Sequence, residues 1–501
     1  MPARTKKARR VAVLADSDTR WKWGALTASR IVSAPPQGSG DTAEPGGPGA
    51  PGLRLDGYLL RGRATPTARQ LTEVGVHADS LREVTAVEFL RAMDADADGD
   101  ADGEEPYDVV VLALVGGGVQ AMLHGLKRVW QGRARRPVVV TGYVGVVYEK
   151  LADGLLLRHG ADLVLANSRQ DADRFRAVYE GVGADASAVT EVALPFLGGT
   201  PYQGPNDPYT VVFAAQPSVP AGRAERAYLL DRLIRHAVAH PEREVLLKLR
   251  SRPGEHTTHI EELPYQKLAQ KTDLPPNLRL VYGHMGEVLD RTDLLVTVSS
   301  TAALEALHRR IPTAVLTDLG VREVLGNHHF TGSGCLASWE QLDAGHRPAP
   351  DEEWLARQGV AAGGNAGGSP AGDGSAGDGS AGDGSAGGGR AGGDPAQESP
   401  AAGGAYATAF DTARERIATL LAAPGGLPPL DPYYTAATAP GYLPGILARH
   451  HLGPDGAPLS GAPAPGREPG PVRQIVRRAA RGAYRHGVQR VAPVIRRMGD
   501  L

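Results

Sequence analysis

The chain has 501 residues, of which 42% are hydrophobic, enough apolar material for two substantial cores plus tails rather than one domain. A formal net charge of -2 and an aromatic fraction of 5% argue against nucleic acid as a partner, since they supply neither a basic field nor base-stacking platforms. Cys335 is the single cysteine, which excludes a disulfide framework and a cysteine metal site and fits a reducing cytoplasm.

The N-terminus MPARTKKARR is basic, but the apolar run after it, residues 11–15, meets Asp16 and Asp18 too soon to form a signal segment. Nowhere does the chain reach the roughly 18 consecutive apolar residues of a membrane span. The first block reads as strands at 11–15, 57–60, 108–115, 137–141, 163–166 and 189–194, with helices such as 119–130 and 169–179 between them. A second block restarts at Tyr209: strand TVVFAA, helix 223–239, strand 244–249, helix 260–270, strand 278–282, a short helix at 286–291, then strand 294–298. Strands alternating with helices predict parallel sheets, so the expected fold is α/β, with two doubly wound Rossmann-like domains facing a cleft. Their expected limits are 1–200 and 205–345. In such sheets ligands bind beyond the carboxyl ends of the strands.

Several stretches fall outside this core. Residues 34–52 are rich in Pro and Gly and read as a flexible insertion. Residues 94–105, DADADGDADGEE, match the spacing of a calcium loop, yet they lead into a core strand instead of a second helix, so they read as a solvated acidic insertion. Repeated AGDGS units make 361–404 a disordered linker, after which 405–422 regains helical spacing and should pack on the folded body. Residues 471–498 place Val472, Ile475, Val476 and Ala479 on one helical face among many arginines, a pattern suited to an anionic membrane surface, a partner or solvent.

The chemistry concentrates at strand ends. In DLLVTVSSTAALEALHRRIP, residues 293–312, a buried strand runs into Ser299, Ser300 and Thr301, where a helix N-cap belongs, and then into a helix carrying Glu305. First-turn amides of a helix lack internal partners and carry positive potential, so they can hold a phosphate; a simple capped helix after a core strand is the plainer reading. Lys248 and Arg250 end the strand EVLLKL and suit pyrophosphate neutralisation. The following His256, His259, Glu261 and Glu262 match no standard zinc spacing, and surface or substrate-polar roles fit them better. Gly283 permits close backbone approach, and His284 beside it can contact a base or ribose. In the first block Asp16, Asp18 and Glu149 are the candidate carboxylates for taking a proton from an acceptor, with Asp18 favoured; each can instead cap a helix or pair with Lys22 or Lys150.

KLRSRPGEHTTHIEELPY, YGHMGEVLDRTDLLVTVSSTAALEAL, RRIPTAVLTDLGVREVLGNHHFTGSG and the start LADSDTRWKWGA recur in order, and together they resemble a family of uncharacterised glycosyltransferases from high-GC bacteria over roughly residues 10–336. A more distant similarity is to sialyl- and polyol-phosphate transferases of the two-Rossmann-domain (GT-B) type, which carry His-Pro where this chain has Arg252 and Pro253. The resemblance implies a glycosyltransferase whose second domain binds a nucleotide-sugar donor through Lys248, Arg250, Gly283, His284, Ser299, Ser300, Thr301 and Glu305. It implies no metal and no cofactor. The acceptor would be a glycan or a lipid-linked envelope precursor, met in the cytoplasm or at the inner face of the membrane. Two alternatives are a nucleotide-sugar 2-epimerase, which uses a closely related architecture, and a non-catalytic nucleotide or glycan binder.

Overall fold

The computed structural model describes residues 8–32, 52–62, 64–97, 106–146, 150–252, 255, 263–360, 406 and 408–459. Nearly all of the 34–52 insertion, residues 98–105, the 361–404 linker, the 471–498 stretch and Glu149 lie outside the described residues.

Seven parallel strands form the first sheet: β1 (Arg9–Ala15), β2 (Leu53–Leu60), β3 (Ser80–Val84), β4 (Val109–Ala113), β5 (Val138–Gly142), β6 (Leu163–Ala166) and β7 (Val189–Glu191), in the order β3-β2-β1-β4-β5-β6-β7. Strands such as VVVLA in β4 are buried at every position, because helices cover both faces of a parallel sheet. The second sheet is again all parallel: β8 (Thr210–Ala214), β9 (Glu244–Lys248), β10 (Leu278–Val281), β11 (Leu294–Thr297), β12 (Thr313–Leu316) and β13 (Leu336–Ala337), ordered β10-β9-β8-β11-β12-β13. Both sheets reverse winding direction beside their first strand, between β1 and β4 and between β8 and β11. A crevice opens at such a reversal, beyond the carboxyl ends. The architecture is the two-domain α/β arrangement expected from the strand pattern.

The linker between the sheets is fastened by buried polar groups. Asp293 accepts from the Tyr202 hydroxyl at 3.1 Å, the Asn206 amide at 2.8 Å and the Thr210 amide at 2.6 Å, while Arg309 Nε donates to the Gly198 carbonyl at 2.7 Å. One apolar cluster runs across the seam, joining Trp23 and Leu194 of the first half to Leu295 and Leu307 of the second. Phe410 and Ile417 extend it, because the helix Asp411–Leu421 returns to the first domain and packs on the helix Asp18–Val32. Farther on, the helix Leu443–Ala448 covers the helix Gly116–Val129. Gln120 and His124 clasp this segment through the Tyr434 carbonyl, at 3.3 and 2.9 Å.

The acidic stretch from Asp94 needs correction. Val87, Leu90 and Met93 recur at helical spacing on a buried face, so the helix Ala86–Ala97 absorbs its first residues. Asp94 there accepts from Arg133 Nη2 at 2.8 Å, which makes it an ion-pair partner on a helix and not a loop ligand. Among the described residues no helix is long and apolar enough to cross a membrane.

Candidate active site

The carboxyl ends of the two sheets face each other, and side chains bridge the gap. Arg250, just beyond β9, donates through Nη2 to Asp18 Oδ1 at 2.6 Å and also to the Thr19 hydroxyl, both just beyond β1. Lys22, one turn into the same helix, has Nζ 3.9 Å from Glu305 and 5.0 Å from the centre of the Phe196 ring. Arg69, on the helix Ala68–Val74 after β2, forms a two-pronged ion pair with Glu255 of the second domain and also holds Glu73. The structure therefore brings Asp18, Lys22, Arg69, Arg250, Glu255 and Glu305 to one cleft.

Lys248 lies deeper. In the sheet register it is level with Ala214, which is level with Thr297, so Lys248 sits two strands, about 10 Å, from the end of β11. Alternation along β9 puts it on the face of Leu246, the face that the helix Ala302–His308 covers. Its ammonium is buried and donates to the Leu249 carbonyl at 2.9 Å. Burial brings its pKa down to about 8; Glu73 and Glu305 act against that shift, whereas Arg250 and Arg69 add to it. A cation stripped of water, with no contacting carboxylate among the described residues, is what an anionic ligand can satisfy.

The serine run behaves differently from a phosphate cradle. Ser299 turns inward: its hydroxyl donates to the Leu325 carbonyl at 2.6 Å and accepts from Gln216 Nε2 at 3.2 Å, while its amide donates to Gln216 Oε1 at 3.0 Å. The Ser300 amide is taken by Thr297 Oγ1 at 3.2 Å, and Ser300 Oγ accepts from the Ala302 amide at 3.3 Å. Thr301 is the N-cap, with helical backbone angles and no side-chain capping bond. Gly145 of the first domain approaches it so closely that a Cβ there would lie 3.3 Å from Thr301 Oγ1. Asn167 fixes that approach by donating to the carbonyls of Tyr143 and Gly145, at 2.7 and 3.1 Å. Thus two of the three residues keep the β11–helix junction in shape, and Thr301 faces the opposite domain.

Asp16 is likewise committed. It accepts from Arg20 Nη1 at 2.9 Å and from the Val115 amide at 3.1 Å, tying the end of β1 to the end of β4. Gly283 follows β10, the neighbour of β9; its φ of +99° and the open space where a Cβ would stand leave its backbone approachable. His284 leans over Gly286 at the start of the helix Met285–Leu289.

Gln216 and Gln266 do not stand out in the sequence as site residues. With Ala215, Pro217, Leu249, Arg250 and Ser251 they line a small crevice at the ends of β8 and β9. Gln266 Nε2 donates to the Ser251 carbonyl at 2.8 Å and so shapes the loop that carries Arg250. The only signal for Gln216 is its place, two residues past a strand at the reversal point.

Residues 11–367 match the model of the family described as "Putative glycosyltransferase (DUF6716)". The chain belongs to this family. Solved structures similar to this member of it include a UDP-GlcNAc 2-epimerase from Methanocaldococcus jannaschii, at 9% identity and TM-score 0.41 over 67% of this chain and 90% of that one. Another is a UDP-GlcNAc 2-epimerase from Neisseria meningitidis bound to UDP-GlcNAc, at 10% identity and TM-score 0.38 over 67% and 88%. A third is the glycotransferase of kitacinnamycin, at 16% identity and TM-score 0.37 over 68% and 89%. No curated protein matches the chain.

Proposed function

We propose that the protein transfers a sugar from a nucleotide-sugar donor to a glycan or lipid-linked envelope acceptor within the cleft between the two sheets, without a divalent metal. Family membership supports sugar transfer in general. The observation that carries the finer reading is the buried Lys248 beside Arg250 at the carboxyl ends of β8 and β9, opposite Asp18. In this reading the donor phosphates lie along the crevice at Gln216 and Arg250, near the ammonium of Lys248. As the acceptor oxygen bonds the anomeric carbon, the bond to the phosphate oxygen breaks, and its electron pair passes to the departing phosphate. Lys248 and Arg250 stabilise that charge, the work a metal performs in other transferases.

The Arg250–Asp18 contact sets the order of events. A diphosphate that engages Arg250 competes with the Asp18 carboxylate and frees it to accept the acceptor proton. Donor should therefore bind before acceptor. Asp16, held by Arg20 and the Val115 amide, keeps the strand ends in place. The basic stretch 471–498 offers the matching address, an anionic membrane surface where a lipid-linked acceptor would be found.

A thermal-shift screen of nucleotide sugars tests the reading, because a ligand that binds the native state raises its apparent stability. One or more donors should stabilise the wild type and lose that effect in Lys248→Ala, with transfer or slow hydrolysis releasing the nucleotide. Failure of every nucleotide sugar to bind would overturn the proposal. Deuterium incorporation into the sugar carbon in heavy water, without an acceptor, would replace it with epimerisation.

A further inference from the structure

At the far end of the second domain, away from the cleft, two histidines and a carboxylate converge. His236 lies in the last turn of the helix Arg223–Ala239, His240 is the residue that caps this helix, and Asp343 ends the helix Trp339–Asp343. One ligating atom from each lies within 4.8 Å of the others. We propose that His236, His240 and Asp343 form a binding site for a transition-metal cation of the zinc class, which staples these two helices together.

Three features separate this trio from a chance grouping. Each outer ligand already has a second partner that aims it inward: Glu242 Oε1 stands 3.4 Å from His240 Nδ1, and Arg232 Nη2 donates to Asp343 Oδ2 at 2.9 Å. Such carboxylate–histidine and cation–carboxylate contacts are how proteins orient metal ligands. The consequence is visible at His240, whose Nε2 is buried and has no hydrogen-bond partner among the described residues, an expense that a ligated cation removes. The position also favours a cation, because the last carbonyls of a helix carry its negative end.

The geometry needs a modest adjustment. His236 Nδ1 and Asp343 Oδ1 are 2.6 Å apart, sharing a proton, whereas tetrahedral zinc with bonds near 2.0 Å holds its ligand atoms roughly 3.3 Å apart. Binding thus shifts that proton from Nδ1 to Nε2 of His236, opens the pair slightly and draws His240 Nε2 in. Arg243, whose Nη1 is 3.4 Å from His236 Nε2, has to turn toward Glu242, with which it already pairs at 3.5 Å. Water completes the coordination, and the distance from the cleft makes the ion structural.

The full chain, stripped of metal with a chelator, is titrated with Zn²⁺ by calorimetry and followed by melting, and Co²⁺ serves as a spectroscopic probe of ligand geometry. One equivalent should bind and raise the melting temperature. His240→Ala and Asp343→Asn should each weaken binding by roughly 10–100-fold and abolish the tetrahedral Co²⁺ bands. His240 is partly exposed, so its alanine variant folds and melts nearly as the metal-free wild type. Should Asp343→Asn fail to fold, His240→Ala and His240→Gln decide the matter alone. Undiminished Zn²⁺ affinity in the His240 variants, or no saturable binding by the wild type, overturns the site.

Discussion

Replacing Lys248 by Met should make the protein more stable and unable to hold a donor. Burial lowers the lysine from 10.5 to about 8, so below pH 8 the fold carries an ammonium that would rather be in water. At about 1.4 kcal/mol per pH unit the gap corresponds to a penalty of roughly 3 kcal/mol, which a methionine of similar length avoids. The sign follows from proton binding: between pH 8 and 10.5 the unfolded chain holds more protons than the folded one, so wild-type stability rises through that window. The variant lacks this rise. Urea denaturation at pH 7 should show Lys248→Met ahead by up to about 3 kcal/mol, with the advantage shrinking toward zero near pH 10.5. A variant less stable than wild type at pH 7, or an advantage that does not change with pH, would refute the reasoning. The same displaced proton predicts that donor affinity falls as pH rises through 8, because phosphate binds the ammonium form.

Other perturbations separate the roles of the remaining residues. Asp18→Asn should lower kcat by roughly 10²–10⁴-fold while donor affinity rises, because the carboxylate no longer competes for Arg250, measured by steady-state transfer and equilibrium binding. Arg250→Ala should mainly weaken the donor, with Arg250→Lys recovering only part because it loses the planar two-donor geometry. In a double-mutant cycle the effects of Asp18 and Arg250 should fail to add, since the two side chains touch at 2.6 Å. Ser299→Ala should cost about 1–2 kcal/mol in denaturation, because the Leu325 carbonyl and the Gln216 amide lose a buried partner. Vesicles containing anionic lipid should pellet the full chain and not one ending at residue 470.

The parts of this fold that can be read from sequence are those whose environment is uniform. Buried parallel strands such as VVVLA, or LLVT in β11, announce themselves because both faces are covered. β3 does not: SLREV leaves four of its five residues exposed, as a sheet edge allows, and its polar composition hides it. The site divides in the same way. Lys248 and Arg250 are visible as cations at a strand's carboxyl end, the side on which open α/β sheets bind ligands. Their surroundings are not visible, since Arg250 meets a residue 232 positions away and Arg69 one 186 positions away. Ser299 looks like a phosphate ligand by position. Only the long-range partners Gln216 and Leu325 reveal that its hydroxyl is already engaged. The trio of His236, His240 and Asp343 escapes for the same reason, because Asp343 lies 107 positions beyond His236.

The two domains are joined by contacts of unequal strength, and the inequality determines how a substrate can enter. On one side lies the continuous apolar seam through Trp23, Leu194, Leu295, Leu307 and Phe410, each large side chain worth about 1.5–3 kcal/mol when buried. On the other stand the ion pairs. Arg250 is 30% and Asp18 13% exposed, Arg69 is 31% exposed, and the Lys22–Glu305 pair is 3.9 Å long. Partly hydrated pairs of this kind contribute of order 1 kcal/mol or less. Opening should therefore pivot on the seam and part the ion pairs, at a cost that the two negative charges of a diphosphate recover by taking over Arg250 and Lys248. The same exchange removes Asp18 from its partner. In the proposed reading the candidate base stays paired with Arg250 until the donor's phosphates fill the leaving group's site, so the carboxylate is released only in a cleft that already holds the sugar to be transferred.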